Sequence, residues 1–344
     1  EAFVDVEAAM VSTTLIYESA GSNVVFDTTV LGIPENTGDA YFEGCEVVVK
    51  GRFMNQRVAP CPLEVRGAAA VWGTDGRLTQ WLSTQHAQGG VDPIAAANGV
   101  DKELVHILTP DVGGGFGVKV QTYAEYAAIL FASRELNKPV KWTASRLECF
   151  LTDTHSRNST LRARMAFDDQ GLILGLQADV IVGIGAYTST YVGIVATNNL
   201  KNCLSSVYRI PSIQMRSRLV FTHMMPLGPY RGAGRPEAIY MIERLLDRAA
   251  ESLKIDRVEL RRRNLIPANA MPYSAPNGQV YDSGEFEAVM EKAIALSDWN
   301  SFESRRISSK QQGKLRGIGM CCFLEVAGGI LEEPADLRFS EDGI

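Results

Sequence analysis

Asp111-Val-Gly-Gly-Gly-Phe-Gly-Val-Lys119 is the stretch from which the rest of this sequence can be read. Three consecutive glycines follow a β-branched run, Val105 to Thr109, that predicts a strand. Lacking a Cβ, glycine lets the backbone approach a bound group closely and turn its N–H groups toward an anion. The run is not a P-loop, because it lacks the Gly-Lys-Ser/Thr ending. Nor is it a dinucleotide fingerprint: the sixth position is Val118 counted from Gly113 and Val120 counted from Gly115, and Gly114 has Phe116 at its third. Taken alone, it reads equally as a structural turn.

Working outward, the patterns predict short strands and helices without regular βαβ alternation. Strands are expected over Glu46 to Phe53 and Val140 to Thr143. Hairpins are expected at Asp75-Gly76, between Ala68–Thr74 and Arg77–Leu82, and at Asp168-Asp169-Gln170-Gly171, between Leu161–Phe167 and Leu172–Val182. Asp92-Pro93 followed by Ile-Ala-Ala-Ala and Gly99 predicts a short helix capped at Asp92. Another spans Thr122 to Asn137, its apolar residues being Tyr123, Ala127, Leu130 and Phe131, and Pro139 ends it. A longer one runs from Pro236 to Leu253 on a stripe of Ile239, Ile242, Leu246, Ala249 and Leu253. Asp282 and Glu285 form a capping-box pattern before a helix over Phe286 to Leu296, and Leu315 to Val326 predicts a last strand. The class is therefore α+β, with mixed sheets and helices. Residues 1–30 read as a connector, 31–266 as one domain, 267–284 as a linker and 285–344 as the start of a second, incomplete domain.

With 46% hydrophobic and 22% charged residues, the 344-residue chain has an ordinary globular composition. Its longest apolar runs, such as Ala127 to Ala132, fall far short of the ~18 residues that cross a bilayer. The opening Glu-Ala-Phe-Val-Asp-Val-Glu shows no hydrophobic leader and fits a processed or trimmed start; a cytoplasmic location is expected from the cysteines below. A formal net charge of −6 with interspersed signs disfavours nucleic-acid and anionic-membrane partners. The basic run Arg261-Arg262-Arg263 follows a predicted helix and reads as a solvated or salt-bridged helix end. Six cysteines at 45, 61, 149, 203, 321 and 322 have no iron–sulfur or zinc spacing, and are expected to be reduced and mostly buried. His155 and His223 have no zinc-type partner, and the absence of a Gly-x-Ser-x-Gly elbow disfavours a serine hydrolase.

Two more segments can carry chemistry. In Leu227-Gly-Pro-Tyr-Arg-Gly-Ala-Gly-Arg-Pro-Glu237, Arg231 and Arg235 flank a glycine turn at a helix start, which suits an anion or an oxo group. A capped turn whose arginines pair with Glu237 or Glu243 fits as well. Leu82-Ser-Thr-Gln-His86 puts a side-chain amide at a strand end, where it could donate to a buried ligand or simply end the strand.

In this order, Ser83-Thr84-Gln85, Gly-Gly-Gly-Phe-Gly with Lys119 after it, and Tyr-Arg-Gly-Ala-Gly-Arg-Pro-Glu-Ala resemble the large subunits of molybdenum hydroxylases, the group of xanthine dehydrogenase, aldehyde oxidase and aerobic carbon monoxide dehydrogenase. Tyr208-Arg-Ile-Pro211, Val258-Glu-Leu-Arg-Arg-Arg-Asn-Leu-Ile266 and Gly317-Ile-Gly-Met extend the resemblance over about residues 25 to 344. It implies the xanthine dehydrogenase type of cofactor-binding fold and a molybdopterin cofactor, in its cytosine dinucleotide form. It also implies hydroxylation of an aldehyde or aromatic N-heterocycle with oxygen from water, and electron exit through [2Fe–2S] and FAD groups on partner subunits. Carried over by motif, Gln85, Gly114, Gly115, Phe116, Gly117, Arg231 and Gly232 would bind the cofactor, with Gln85, Phe116 and Arg231 nearest the metal; Val120, Asn199 and Ala233 would line the substrate pocket.

Departures from the pattern narrow this. Copper-containing carbon monoxide dehydrogenases have a cysteine where this chain has Gly232, so that chemistry is not expected. Xanthine-type enzymes have a glutamate and a phenylalanine at Val120 and Ala233, and the loop here resembles form II enzymes instead. The family's general-base glutamate is expected on a C-terminal portion outside this sequence; Glu332 and Glu333 have the right side chain in the wrong surroundings. A second molybdopterin chain or portion is thus an expected partner. The alternative, from a different class, is a cofactor-free scaffold that keeps the fold without catalysis. An unrelated phosphate-binding hydrolase has only the glycine run behind it.

Overall fold

Alternating strands build two sheets, each with its own apolar core. The computed structural model describes residues 2–32 and 41–325, together with Leu337 and Phe339. After a short helix α1 (Val6–Val11), the strands are β1 (Val24–Leu31), β2 (Val47–Asn55), β3 (Gly67–Trp72), β4 (Leu78–Leu82), β5 (Val105–Leu108), β6 (Val140–Thr143), β7 (Ser159–Phe167), β8 (Ile173–Gly185) and β9 (Ile213–Phe221). The helices that follow α1 are α2 (Ala87–Asn98), α3 (Ala124–Leu136), α4 (Arg146–Thr152), α5 (Asn199–Asn202), α6 (Arg235–Leu253), α7 (Arg257–Asn264), α8 (Phe286–Leu296) and α9 (Phe302–Gln311).

The larger sheet has the order β1-β9-β8-β7-β2, antiparallel except for the parallel pair β8–β9. On one face lies α6, whose Ile242, Leu245, Leu246 and Ala249 meet Leu161, Met165 and Leu176 from the strands in one buried cluster. The smaller sheet, β5-β4-β3-β6, packs Ala68, Ala70, Leu78 and Leu82 against Ile94 of α2 and Tyr126 and Leu130 of α3. Both predicted hairpins form, the first as β3–β4 and the second as β7–β8. At the second turn the Asp168 carboxylate accepts the N–H groups of Gln170 (3.0 Å) and Leu172 (2.7 Å).

Buried charge ties the elements together. Arg66 is 1% exposed; its guanidinium bonds Asp153 (2.5 Å) at the end of α4 and Glu125 (3.0 Å) on α3, and lies 3.9 Å above the Tyr123 ring. Arg261, fully buried, pairs with Glu243 (2.8 Å) and Asp247 (3.0 Å) of α6, and Tyr208 donates its hydroxyl to Glu243 (2.5 Å). The basic run is therefore not uniformly a surface feature: Arg262 and Arg263 pair with Glu259 on the outside, while Arg261 locks α7 onto α6.

Several expectations need correction. Helix α2 begins at Ala87, not at Asp92, and Pro93 lies inside it; burial of Ile94 and Ala95 outweighs the lost N–H. The buried stripe of α3 is Tyr126, Leu130 and Ser133, and Phe131 faces out. Asp282 and Glu285 form no capping box: Glu285 is itself the N-cap and makes no side-chain bond. Leu315 to Glu325 joins no strand among the described residues, and Val326 lies outside them. The apolar, glycine-containing character of the segment suggested a strand, and Met320, Cys322 and Leu324 do pack on the larger core, but a strand also needs a neighbour to bond. Val24–Leu31, read as part of a connector, is the edge strand of the larger sheet. The 267–284 stretch folds as a two-stranded ribbon, β10 (Tyr273–Ser274) and β11 (Val280–Tyr281), over Ile266 and Ala275. Of the cysteines, Cys149 and Cys203 are buried, Cys45 and Cys322 half-buried and Cys61 and Cys321 exposed; all are free thiols. Glu332 and Glu333 lie outside the described residues.

Candidate functional site

The three sequence segments converge at the rim between the two sheets. Leaving β4, the chain passes through Ser83 and Thr84 to Gln85, whose N–H donates to the Lys119 carbonyl at 2.9 Å. Thr84 donates its hydroxyl to that same carbonyl, also at 2.9 Å. The end of β4 is thereby fastened to the far end of the glycine turn. Gln85 then lays its carboxamide across the turn: Oε1 accepts the Gly117 N–H at 2.7 Å. An N–H can bond only the oxygen end, so the amide orientation follows from that contact. The Nε2 donor is turned away from it and meets no acceptor among the described residues.

Glycine is required here for two different reasons. At Gly115 a Cβ would stand 2.5 Å from Gln85 Cδ, so the bare backbone is the seat of the carboxamide. At Gly117 the backbone has φ +102°, and a Cβ would lie 2.5 Å from the Pro229 carbonyl oxygen, so the arginine loop packs directly on the turn. The two loops also share a main-chain bond, Arg231 N–H to the Phe116 carbonyl at 3.1 Å. Phe116 itself has φ +55° and keeps 44% of its surface exposed. A bulky residue in that region is strained, and strain of this kind collects at functional sites. The N–H groups of Gly115 and Phe116 meet no acceptor among the described residues.

Behind each loop stands a charged residue that no motif singles out. Glu64 Oε2 accepts from the Lys119 ammonium (2.6 Å), the Gly113 N–H (2.8 Å) and the Ser83 hydroxyl (2.5 Å), gathering both ends of the glycine turn and the β4 exit. Partial burial pushes the Glu64 carboxyl up, but the hydrogen bonds from Lys119, Ser83 and Gly113 outweigh it and hold it below its usual value. Behind the arginine loop, Arg157 donates to the carbonyls of Tyr230 (3.2 Å) and Arg231 (2.9 Å) and pairs with Glu237 (3.2 Å). Burial raises the Glu237 carboxyl despite that partner. Arg231 and Arg235 do not make the pairings with Glu237 or Glu243 allowed above: Arg235 reaches Glu325 (3.0 Å), and the two acids belong to Arg157 and Arg261.

Of the residues expected in a substrate pocket, Asn199 and Ala233 are in direct contact. Asn199 donates to the Ala233 carbonyl at 3.0 Å, so it braces the arginine loop. Ala233 holds φ +46° at the crest of that loop. Val120 is half-buried in the single helical turn after the glycine run. A five-residue π-helix, Ile194–Asn198, leads into α5, and its Val195 carbonyl packs on Gly234. Such helices recur at functional sites. Chemically, the rim presents N–H donors and an exposed aromatic ring on one open wall, and no group of metal-ligating side chains occurs among the described residues.

Residues 16–265 match the molybdopterin cofactor-binding domain family. The chain belongs to this family. Among its relatives, the carbon monoxide dehydrogenase large chain of Hydrogenophaga pseudoflava is 33% identical over 296 residues, covering 84% of this chain and 37% of the relative. The nicotine 6-hydroxylase large subunit of Paenarthrobacter nicotinovorans is 30% identical over 293 residues, covering 84% and 36% respectively. The crystal structure of quinoline 2-oxidoreductase from Pseudomonas putida 86 superposes with a TM-score of 0.84 at 30% identity, over 91% of this chain and 40% of that one. The fold expectation is thus met. This member of the molybdopterin-binding family spans about two fifths of the length of those relatives.

Proposed function

We propose that the chain forms one wall of the molybdenum site of an oxidoreductase that hydroxylates an aldehyde or an aromatic N-heterocycle. The observation that carries this reading is the convergence of Gln85, the glycine turn and the arginine loop on one rim, with the Gln85 Nε2 and the Gly115 and Phe116 N–H groups all lacking acceptors among the described residues. Donors of that kind fit a cofactor whose metal carries oxo-type ligands, because they stabilise negative charge on oxygen without having to reorganise. When bound, the molybdenum cofactor, here in its cytosine dinucleotide form, would supply the two-electron redox chemistry, with water as the source of oxygen. Gln85 would hold the oxygen ligand by its amide, Phe116 and Arg231 would contribute main-chain groups, and the exposed Phe116 ring would give a planar substrate a face to lie on.

Proton removal requires a base, and among the described residues the carboxylates behind this rim are already engaged, Glu64 by Lys119 and Glu237 by Arg157. That role falls to a portion of the protein beyond this sequence or to a second molybdopterin chain, with iron–sulfur and FAD subunits as electron acceptors. Gly232 in the loop offers no thiolate, so copper-dependent oxidation of carbon monoxide is not part of the proposal. The domain division proposed with it takes β1 into the first domain, which then runs over about residues 24–266, with the 267–284 ribbon and α8 closing on it. Molybdenum and pterin analysis of the protein purified with its partner chains tests the reading. Stoichiometric metal and pterin fluorescence are expected, and protein free of both would overturn it in favour of a cofactor-free scaffold.

A further inference from the structure

Arg157 lies outside every motif that pointed to the site, yet its guanidinium is divided between two successive carbonyls of the arginine loop, Tyr230 and Arg231. Its side chain is 12% exposed and its charge is balanced by Glu237, which is 4% exposed. The backbone that delivers it is unusual: Arg157 has φ +68° and Asn158 has φ +59°, two consecutive non-glycine residues in the left-handed region. Asn158 is pinned there, because its carbonyl accepts the Gly183 N–H (3.0 Å) and its Nδ2 donates to the Gly183 carbonyl (3.3 Å). The core strand β8 thus holds a strained turn whose one outward product is the placement of Arg157.

The peptide joining Arg231 to Gly232 is trans, so its N–H points opposite to its C=O. That C=O is drawn inward by Arg157 at 2.9 Å. The Gly232 N–H must therefore face away from Arg157, and it meets no acceptor among the described residues. The preceding peptide obeys the same logic: the Tyr230 carbonyl turns in to Arg157 while the Arg231 N–H reaches the Phe116 carbonyl.

On the function proposed above, we infer that Arg157 is a positioning residue that sets the arginine-loop peptides so that the Gly232 N–H donates into the molybdenum site. It touches neither substrate nor cofactor. What it supplies is a fork that a single point charge cannot reproduce, which is why lysine is not equivalent there.

The test uses the full protein assembled with its partner chains, as wild type, Arg157→Lys and the double variant Arg157→Met/Glu237→Gln. The lysine variant keeps the charge opposite Glu237 but loses the two-carbonyl fork. The double variant removes both buried charges, so that folding is not compromised by an unpaired Glu237. Both are expected to retain molybdenum and to show faster amide exchange over 230–234 and an altered Mo(V) resonance. Turnover should fall about 10- to 100-fold at a nearly unchanged KM, the scale of a misplacement of about an ångström. Rescue of exchange, resonance and kcat by lysine would show that only the charge matters and would overturn the inference while leaving the function standing. Wild-type protein without molybdenum would overturn the function and this inference with it.

Discussion

Alanine at Gly115 and alanine at Gly117 should have opposite signatures, although the two positions lie two residues apart. Gly115 does not occupy the left-handed region, so alanine fits its backbone. Restricting the unfolded chain gains about 0.4–1 kcal/mol. Its Cβ, 2.5 Å from Gln85 Cδ, expels a carboxamide on an exposed, flexible side chain. The lost bond to the Gly117 N–H costs about 0.5–1.5 kcal/mol. The net change in stability is within about 1 kcal/mol of zero. At Gly117, φ +102° alone costs a side chain about 1–2 kcal/mol. The Cβ also meets backbone, the Pro229 oxygen at 2.5 Å, and overpacking that cannot relax adds about 1–3 kcal/mol. Urea denaturation should therefore leave G115A close to wild type and place G117A about 2–5 kcal/mol below it. Turnover of the assembled enzyme should nonetheless fall about 100-fold in G115A, as when one oxyanion donor is removed. Equal stability loss in the two variants, or wild-type turnover in G115A, would refute the account of how Gln85 is seated.

Replacing Phe116 by glycine relieves a positive φ at an exposed residue, so stability should hold or rise by up to about 1 kcal/mol in denaturant titration while molybdenum-dependent turnover drops. Arg66→Met strands Asp153 and Glu125 without their cation and should cost about 3 kcal/mol, the lower end for a buried pair because Glu125 is a third exposed; a loss under 1 kcal/mol in urea would show the network to be dispensable. The Glu64 carboxyl is held below its usual value, so its contribution to stability is present above about pH 4.5 and is lost as pH falls through the folded-state value. Glu64→Gln does not titrate, so the stability gap between wild type and E64Q should narrow from pH 7 to pH 4, and a gap that widens would reverse the assignment.

Much of this architecture can be read from local chemistry. The two hairpins were marked by Asp75-Gly76 and by Asp168 to Gly171, where turn residues interrupt alternating strands. Helix α6 followed from its 3.6-residue stripe. Legibility failed where tertiary contacts override local preference. Pro93 suggested a helix start, but the core wanted Ile94 and Ala95, and the helix runs through. Leu315 to Glu325 is apolar enough for a strand but has no partner among the described residues to make it one. At the site, the motif residues Gln85, Phe116 and Arg231 do meet, because glycine spacing is a local signal. Glu64 and Arg157 escaped notice for the opposite reason: each acts across 49 to 80 positions of sequence, and no spacing rule links Glu64 to Gly113 or Arg157 to Glu237. The positive φ of Arg157 and Asn158 leaves no compositional trace, since neither is glycine.

The two loops of the rim are fastened to each other by main-chain groups, the Arg231 N–H on the Phe116 carbonyl and Gly117 against Pro229. Such a joint is indifferent to what the side chains at 120, 231 and 233 happen to be. On the proposed function, positions 120 and, within what its positive φ allows, 233 could then be exchanged to admit a larger, smaller or more polar substrate without loosening the frame that holds the donors. A designer seeking new specificity would leave the glycines, Glu64 and Arg157 untouched and draw variation from those side chains alone, keeping alignment and selectivity as separately adjustable properties.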